Sequence, residues 1–224
     1  MRSRSEIEHE ARMLLTEMDQ HADLIWPNTQ PDRLYMCDPE AACRLLGLEY
    51  LREPYLGSFG DTGTAGMLDR KRGVILLSTK QRLEELRFTA AHEVGHFLLH
   101  PGEVMFRDRS LSDHGGPGRP QIEREADWFA ASFLAPPKLV QRAFRARFPV
   151  REPMTNTGAT CFTLSVSDAS YLEGLPANSI EFALAVARAE RFGPNSVRFQ
   201  SLSSLFNVSP TTMALRLREL GLVH

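Results

Sequence analysis

The chain has 224 residues, a formal net charge of -2 and 42% hydrophobic residues, which is enough to bury a core within one domain plus an appendage, or within two small domains. Charges of both signs are well mixed, so composition gives no reason to expect a polyanion or an acidic membrane surface as partner. No stretch approaches the roughly 18 consecutive apolar residues of a membrane helix, Met1 to Glu10 lacks an export signal's apolar core, and Cys37, Cys43 and Cys161 form no C-x-x-C pair, which predicts a soluble cytoplasmic protein with reduced thiols.

Ser5 to Leu24 sets Ile7, Ala11, Leu14, Leu15 and Met18 at helical spacing, ended by Trp26-Pro27-Asn28. Asp38-Pro39 opens a second short helix, with Asp38 as N-cap, Pro39 at the first helical position and Gly47 closing it. Leu48 to Tyr55 reads as extended and Gly57 to Gly66 as a turn-rich loop. Ala65 to Leu68 and Val74 to Leu77 flank Asp69-Arg70-Lys71-Arg72-Gly73 as a hairpin. Ser78-Thr79-Lys80-Gln81 fits a capping box, and Leu83, Leu86, Ala90, Val94 and Phe97 carry the following helix to about Leu99, where Pro101-Gly102 stops it.

Glu103 to Pro120 is a Gly-, Pro-, Asp- and Arg-rich loop. Gln121 to Leu134 is helical again, with Ile122, Ala126, Phe129, Ala130 and Phe133 on one face, and Lys138 to Phe148 forms another amphipathic helix. Beyond a linker at Arg151 to Gly158, the alternation of Phe162, Leu164 and Val166 predicts a strand, and Asn178 to Phe192 a helix. Leu202 to Phe206 and Pro210 to Leu220 predict two short helices about Asn207-Val208-Ser209. The hairpin among many helices describes an α+β chain. Its expected parts are a first domain over 1–150, a linker or insert over 151–193 and a helical tail over 194–224.

The chemistry concentrates in His92-Glu93-Val94-Gly95-His96. Histidines at i and i+4 project from one helix face about a turn apart, so both imidazoles can reach one ion. Glu93, beside the first of them, can hold a water on the metal without ligating, take its proton and pass it to a leaving amine. Zinc with three protein ligands keeps a fourth position open and lowers the water pKa. Gly95 is a second anomaly, because glycine within a helix costs roughly 1 kcal/mol relative to alanine, which points to a close approach by another backbone or a substrate.

A third ligand is needed. On the second helix Glu123 and Asp127 are four residues apart and share a face, so Glu123 can ligate while Asp127 hydrogen-bonds a ligand histidine and fixes its tautomer. Glu125 lies about 200° round from Glu123 at roughly 3.6 residues per turn and is the weaker alternative ligand.

Arg87-Phe88-Thr89-Ala90-Ala91-His92-Glu93-Val94-Gly95-His96-Phe97-Leu98-Leu99-His100, followed by Glu123-Arg124-Glu125-Ala126-Asp127-Trp128-Phe129-Ala130, resembles the ImmA/IrrE metallopeptidases, and Asp38-Pro39-Glu40-Ala41-Ala42 extends the likeness upstream. The resemblance implies a zincin-like, specifically gluzincin-like, core: a small antiparallel sheet packed on the H-E-x-x-H helix and a second ligand helix, with the ion between the two. It implies His92, His96 and Glu123 as ligands, Glu93 as base, and Asp127 where the family has Asn or Asp. It also implies a protein substrate, a helix-turn-helix repressor of the Xre type, whose cleavage derepresses stress or mobile-element genes.

The family's helix-turn-helix-like tail resembles Leu202 through Leu222, but Arg151 to Gly193 separates it from the core by more than a usual connection. That segment is a candidate lid, substrate-binding element or inhibitory segment. Zinc is the expected cofactor, and manganese also suits histidine and carboxylate donors.

His100, at i+4 from His96, reads either as a further ligand or, more commonly, as a cation at a helix C-terminus. His114 and Tyr171 are candidates for stabilising an oxyanion, although both read as solvated loop residues. His9 and His21 belong to an exposed helix, and Cys37 and Cys43 read as packing residues. A competing class is a metal-dependent regulator that binds DNA or a repressor without proteolysis. Ser209, Thr211 and Thr212 would begin a groove-reading helix, but the nearby basic residues, Arg198, Arg216 and Arg218, are few for phosphate contacts.

Overall fold

The computed structural model describes residues 2–28, 32, 34, 36–54, 56, 64–102, 105–109 (backbone only), 120–193 and 196–224. Eleven helices and one four-stranded sheet occur among them, the expected α+β architecture. The chain divides into two compact units, 1–134 and 135–224.

In the first unit, α1 (Arg4–Gln20) starts from a reciprocal cap. The Ser3 N–H donates to the Glu6 carboxylate at 2.6 Å, and the Glu6 N–H donates to the Ser3 hydroxyl at 3.3 Å. Its buried stripe is Ile7, Ala11, Leu14 and Met18. After the single turn of α2 (Ala22–Ile25), α3 (Pro39–Leu45) begins as expected, with Asp38 accepting from the Glu40 N–H at 3.2 Å and Pro39 in the first turn. Gly47 leaves it at φ 69°, the left-handed conformation that a side chain resists.

The sheet runs β1-β3-β2-β4, from β1 (Glu49–Glu53), β2 (Thr64–Asp69), β3 (Val74–Ser78) and β4 (Met105–Arg109). The expected hairpin is β2–β3, antiparallel with Asp69 opposite Val74 and Gly73 at φ 67° in its turn. The sheet is mixed where the sequence reading expects an antiparallel one, because β1 pairs parallel to β3, Glu49 opposite Val74. No short turn joins these two strands, so no local signal sets their relative direction. β4 replaces part of the loop expected over Glu103 to Pro120; it pairs antiparallel with β2, and Asp69 faces Met105. Its own residues, Met-Phe-Arg-Asp-Arg, carry little strand signal, and the free edge of β2 supplies the pairing. The remainder of that loop, 103–104 and 110–119, lies outside the described residues, as does 57–63 of the turn-rich loop.

Helix α4 (Leu83–Leu99) packs on β2 and β3 on one side, and on α5 (Gln121–Leu134) on the other. Being enclosed from both sides, it buries residues all round its circumference, from Leu86 to Leu99. The helix starts four residues later than a capping box at Ser78 would place it. Gln81 spends its side chain elsewhere, donating to the Ala65 carbonyl at 2.8 Å and accepting from the Thr89 hydroxyl at 2.8 Å. The Glu85 carboxylate accepts from the Arg82 N–H instead, at 3.3 Å. Helix α5 spans its expected residues and packs on α1 as well as α4. Phe129 and Phe133 are fully buried, each contributing about 1.5–3 kcal/mol by leaving water, while Ile122 is 37% exposed.

The second unit contains α6 (Pro137–Arg147), α7 (Gly158–Leu164), α8 (Ala169–Glu173), α9 (Ile180–Arg188), α10 (Leu202–Phe206) and α11 (Pro210–Glu219). Helix α7 stands where the alternation of Phe162, Leu164 and Val166 predicts a strand. Thr157 caps it by accepting from the Thr160 N–H at 3.4 Å, and Phe162 and Val166 face solvent. Three alternating residues are too few to outweigh a local cap. Helix α9 is shorter than expected; it starts after Ser179, whose hydroxyl accepts from the Glu181 N–H at 3.1 Å. The two tail helices form as expected about Asn207 in the left-handed conformation, with Ser209 capping α11. Helix α11 packs on α9, and α10 packs on α9 and α6. The final residues close this unit: the Met154 N–H donates to the Leu222 carbonyl at 2.8 Å, and the His224 N–H donates to the Met154 carbonyl at 3.0 Å. Among the described residues no helix is long and apolar enough to cross a membrane.

Candidate metal centre

His92 and His96 sit one turn apart on the face of α4 that meets α5, and Glu123 stands opposite in the first turn of α5. The two histidine Nε2 atoms are 2.9 Å apart. Glu123 Oε2 lies 3.3 Å from His92 Nε2, and Glu123 Oε1 lies 3.4 Å from His96 Nε2. These donor atoms all fall within 4.8 Å of one another, the one such group of three among the described residues. Donors around a tetrahedral zinc with bonds of about 2.0–2.1 Å are separated by roughly 3.3–3.4 Å. Both carboxylate–imidazole distances match that spacing, and the imidazole pair is closer by a few tenths of an ångström. Two imidazoles and a carboxylate suit zinc or another divalent ion of similar preference, so these residues fit such a group.

Burial prepares the donors. His96 is fully buried, and loss of hydration pulls its pKa down from the ordinary 6.5 to about 4, leaving the ring neutral with a lone pair to give. Burial also works against the charge on Glu123, but the His92 and His96 rings beside its oxygens outweigh that and hold the carboxyl well below the usual carboxylate range. Asp127 is one turn beyond Glu123 on α5. Its Oδ1 lies 2.9 Å from His92 Nδ1, so a proton on Nδ1 turns the lone pair of Nε2 toward Glu123 and His96.

Glu93 points another way. It lies about 100° round α4 from His92 at roughly 3.6 residues per turn, on the side toward the sheet, and is fully buried. A Cβ on Gly66 of β2 would lie 3.1 Å from Glu93 Oε1 and 2.4 Å from Thr89 Cγ2. The strand backbone therefore comes up against the carboxylate, and only glycine leaves room. On the opposite side, a Cβ on Gly95 would lie 3.1 Å from the Phe129 side chain, so the close neighbour is a side chain of α5, where the sequence reading expects a backbone or a substrate.

Two residues take part in ways the sequence reading does not assign. His100, the residue that ends α4, turns its ring back so that Nδ1 lies 3.0 Å from His96 Nδ1, away from the donor cluster. Its Nε2 is 3.3 Å from Glu125 Oε2. Glu125, 4% exposed, stands apart from the group of donor atoms. Burial raises its pKa, but hydrogen bonds from Gln121, His100 and the Arg2 N–H outweigh that and lower it. The helical offset from His96 to His100 is visible in the sequence, whereas the pairing of His100 with Glu125 depends on how α4 and α5 pack. Tyr171 lies on α8 and is 63% exposed, and His114 lies outside the described residues.

No curated protein sequence is significantly similar to this chain. The profile of the Peptidase_M78 family, the IrrE N-terminal-like domain, matches residues 50–166, just over half the chain. That span takes in α4, α5 and every donor atom described above. A match of this extent over both donor-bearing helices makes the chain a member of the Peptidase_M78 family of IrrE-type metallopeptidases.

Proposed function

We propose that the protein is a zinc-dependent endopeptidase that cleaves a helix-turn-helix repressor of the Xre type and thereby derepresses stress or mobile-element genes. The observation that carries the hydrolytic part is the convergence of His92, His96 and Glu123 within 4.8 Å on two packed helices. The repressor as substrate rests on the likeness of the α4 and α5 motifs to the ImmA/IrrE peptidases.

In this reading His92, His96 and Glu123 hold the ion through Nε2, Nε2 and a carboxylate oxygen. The bound ion supplies Lewis acidity, lowering the pKa of water and polarising the scissile carbonyl. Glu93 is the general base: it accepts the proton of the attacking water and returns it to the leaving amine. Its burial against Gly66 fixes the direction from which it can do so. Asp127 orients His92 through Nδ1, keeping the lone pair of Nε2 available for the ion.

The test is to incubate zinc-loaded protein with the Xre-type repressors of its own genome, beginning with any encoded beside it, and to map any products by mass spectrometry. One discrete cut is expected. Glu93→Gln should retain the metal and lose about 10²–10⁴ in rate, the usual contribution of a positioned acid–base group. Intact repressor with the wild type under zinc and manganese alike, or undiminished cleavage by Glu93→Gln, would overturn the proposal.

A further inference from the structure

We infer that His100 and Glu125 form a positioning pair that fixes the tautomer and orientation of His96, as Asp127 does for His92. The inference rests on the metallopeptidase reading, because it concerns how one proposed ligand is held.

It follows from proton placement. A hydrogen bond between two imidazole nitrogens needs an N–H on one ring and a lone pair on the other. His96 must keep the lone pair on Nε2 to serve the donor cluster, so its proton sits on Nδ1, facing His100 Nδ1 at 3.0 Å. His100 Nδ1 must then be the acceptor, which puts the proton of His100 on Nε2, facing Glu125 Oε2 at 3.3 Å. An ionised carboxylate only accepts, so donors and acceptors alternate along the row, and no two donors face each other. The opposite arrangement would protonate His96 Nε2 and remove it from the cluster.

The row is anchored at its far end. Glu125 Oε1 accepts from the Arg2 N–H at 3.2 Å and from the Gln121 amide at 3.1 Å, which leaves Oε2 toward His100. The turn that bears His100 is also held. The Arg70 guanidinium donates to the carbonyls of His96, Phe97 and His100 at 2.9, 3.0 and 3.1 Å. The two metal-facing histidines are thus backed by unlike partners: a carboxylate directly on His92, and a second histidine relaying to a carboxylate on His96.

The experiment compares wild type, His100→Phe, His100→Asn and Glu125→Gln as apo-proteins. Zinc affinity is measured by competition with a chromophoric chelator, and the absorption spectrum of each cobalt(II) form is recorded. Circular dichroism reports folding. His100→Phe removes the acceptor and should weaken zinc binding about 10–100-fold, the usual effect of losing a partner behind a ligand, with a displaced cobalt spectrum. The side-chain oxygen in His100→Asn can accept in place of Nδ1 and should recover most of the affinity and the wild-type spectrum. Glu125→Gln should lie between them, and it carries the test if His100→Phe does not fold. Wild-type affinity and an unchanged cobalt spectrum in both His100→Phe and Glu125→Gln would overturn the positioning role while leaving the metallopeptidase reading in place. Failure of the wild type itself to bind either ion would overturn both.

Discussion

Thr89 and Glu93 lie one turn apart on the side of α4 that meets β2, and Gly66 is the strand residue against both. Thr89 cannot rotate freely away, because its hydroxyl is committed to Gln81 at 2.8 Å. Gly66→Ala is therefore expected to cost about 1–3 kcal/mol through overpacking and to shift Glu93. Denaturant unfolding should show the loss, and a peptidase assay should show a fall in rate. Metal content by elemental analysis should stay at the wild-type level, since the donor atoms face α5. Much of this site is readable from the sequence, because residues four apart on a helix share a face wherever the helix packs: His92 with His96, Glu123 with Asp127. Gly95 is also readable, since a glycine within a helix is an anomaly in itself. Gly66 is not, because it looks like the end of a turn-rich loop and its constraint comes from side chains on α4.

Among the elements, α4 depends on a residue outside it. The Arg70 guanidinium, on the β2–β3 turn, caps three carbonyls of the last turn of α4 and lies 4.8 Å from the Phe97 ring centre. Hydrogen bonds from a charged donor contribute roughly 1.5–3 kcal/mol, so Arg70→Ala should lower stability by about that amount. Hydrogen exchange should quicken at residues 97–100 before it does at 88–92. Helix ends set by their own neighbours, such as Asp38-Pro39 before α3 or Ser209-Pro210 at α11, are legible from the sequence. Ends set across space are not: Gln81 reads as a capping residue but serves Ala65 and Thr89, and β4 exists because β2 offers an edge. The parallel sense of β1 belongs with these, since no turn records it.

For the molecule as a whole, all three proposed ligands and both tryptophans, Trp26 and Trp128, fall within 1–134. Chelation should therefore lower the midpoint of the tryptophan-reported unfolding transition. An ion present at a hundred times its Kd stabilises a fold by about 2.7 kcal/mol. The chelated protein should also be sensitive to acid. Its buried His96 has a pKa of about 4 against an ordinary 6.5, so between these values the unfolded chain binds a proton that the folded one refuses. Stability is fully present above about pH 6.5 and drains away as pH falls toward about 4. Unfolding curves of apo-protein across that range would show it, and a flat profile would contradict it. In the second unit, Leu222 and Val223 are 1% exposed and pair with the chain at Met154. Trimming even three residues from the carboxyl end would strip a backbone clamp and uncover apolar surface seventy positions upstream. In deletion mapping, a phenotype assigned to the tail would then report the collapse of 135–224 rather than any recognition by α10 and α11.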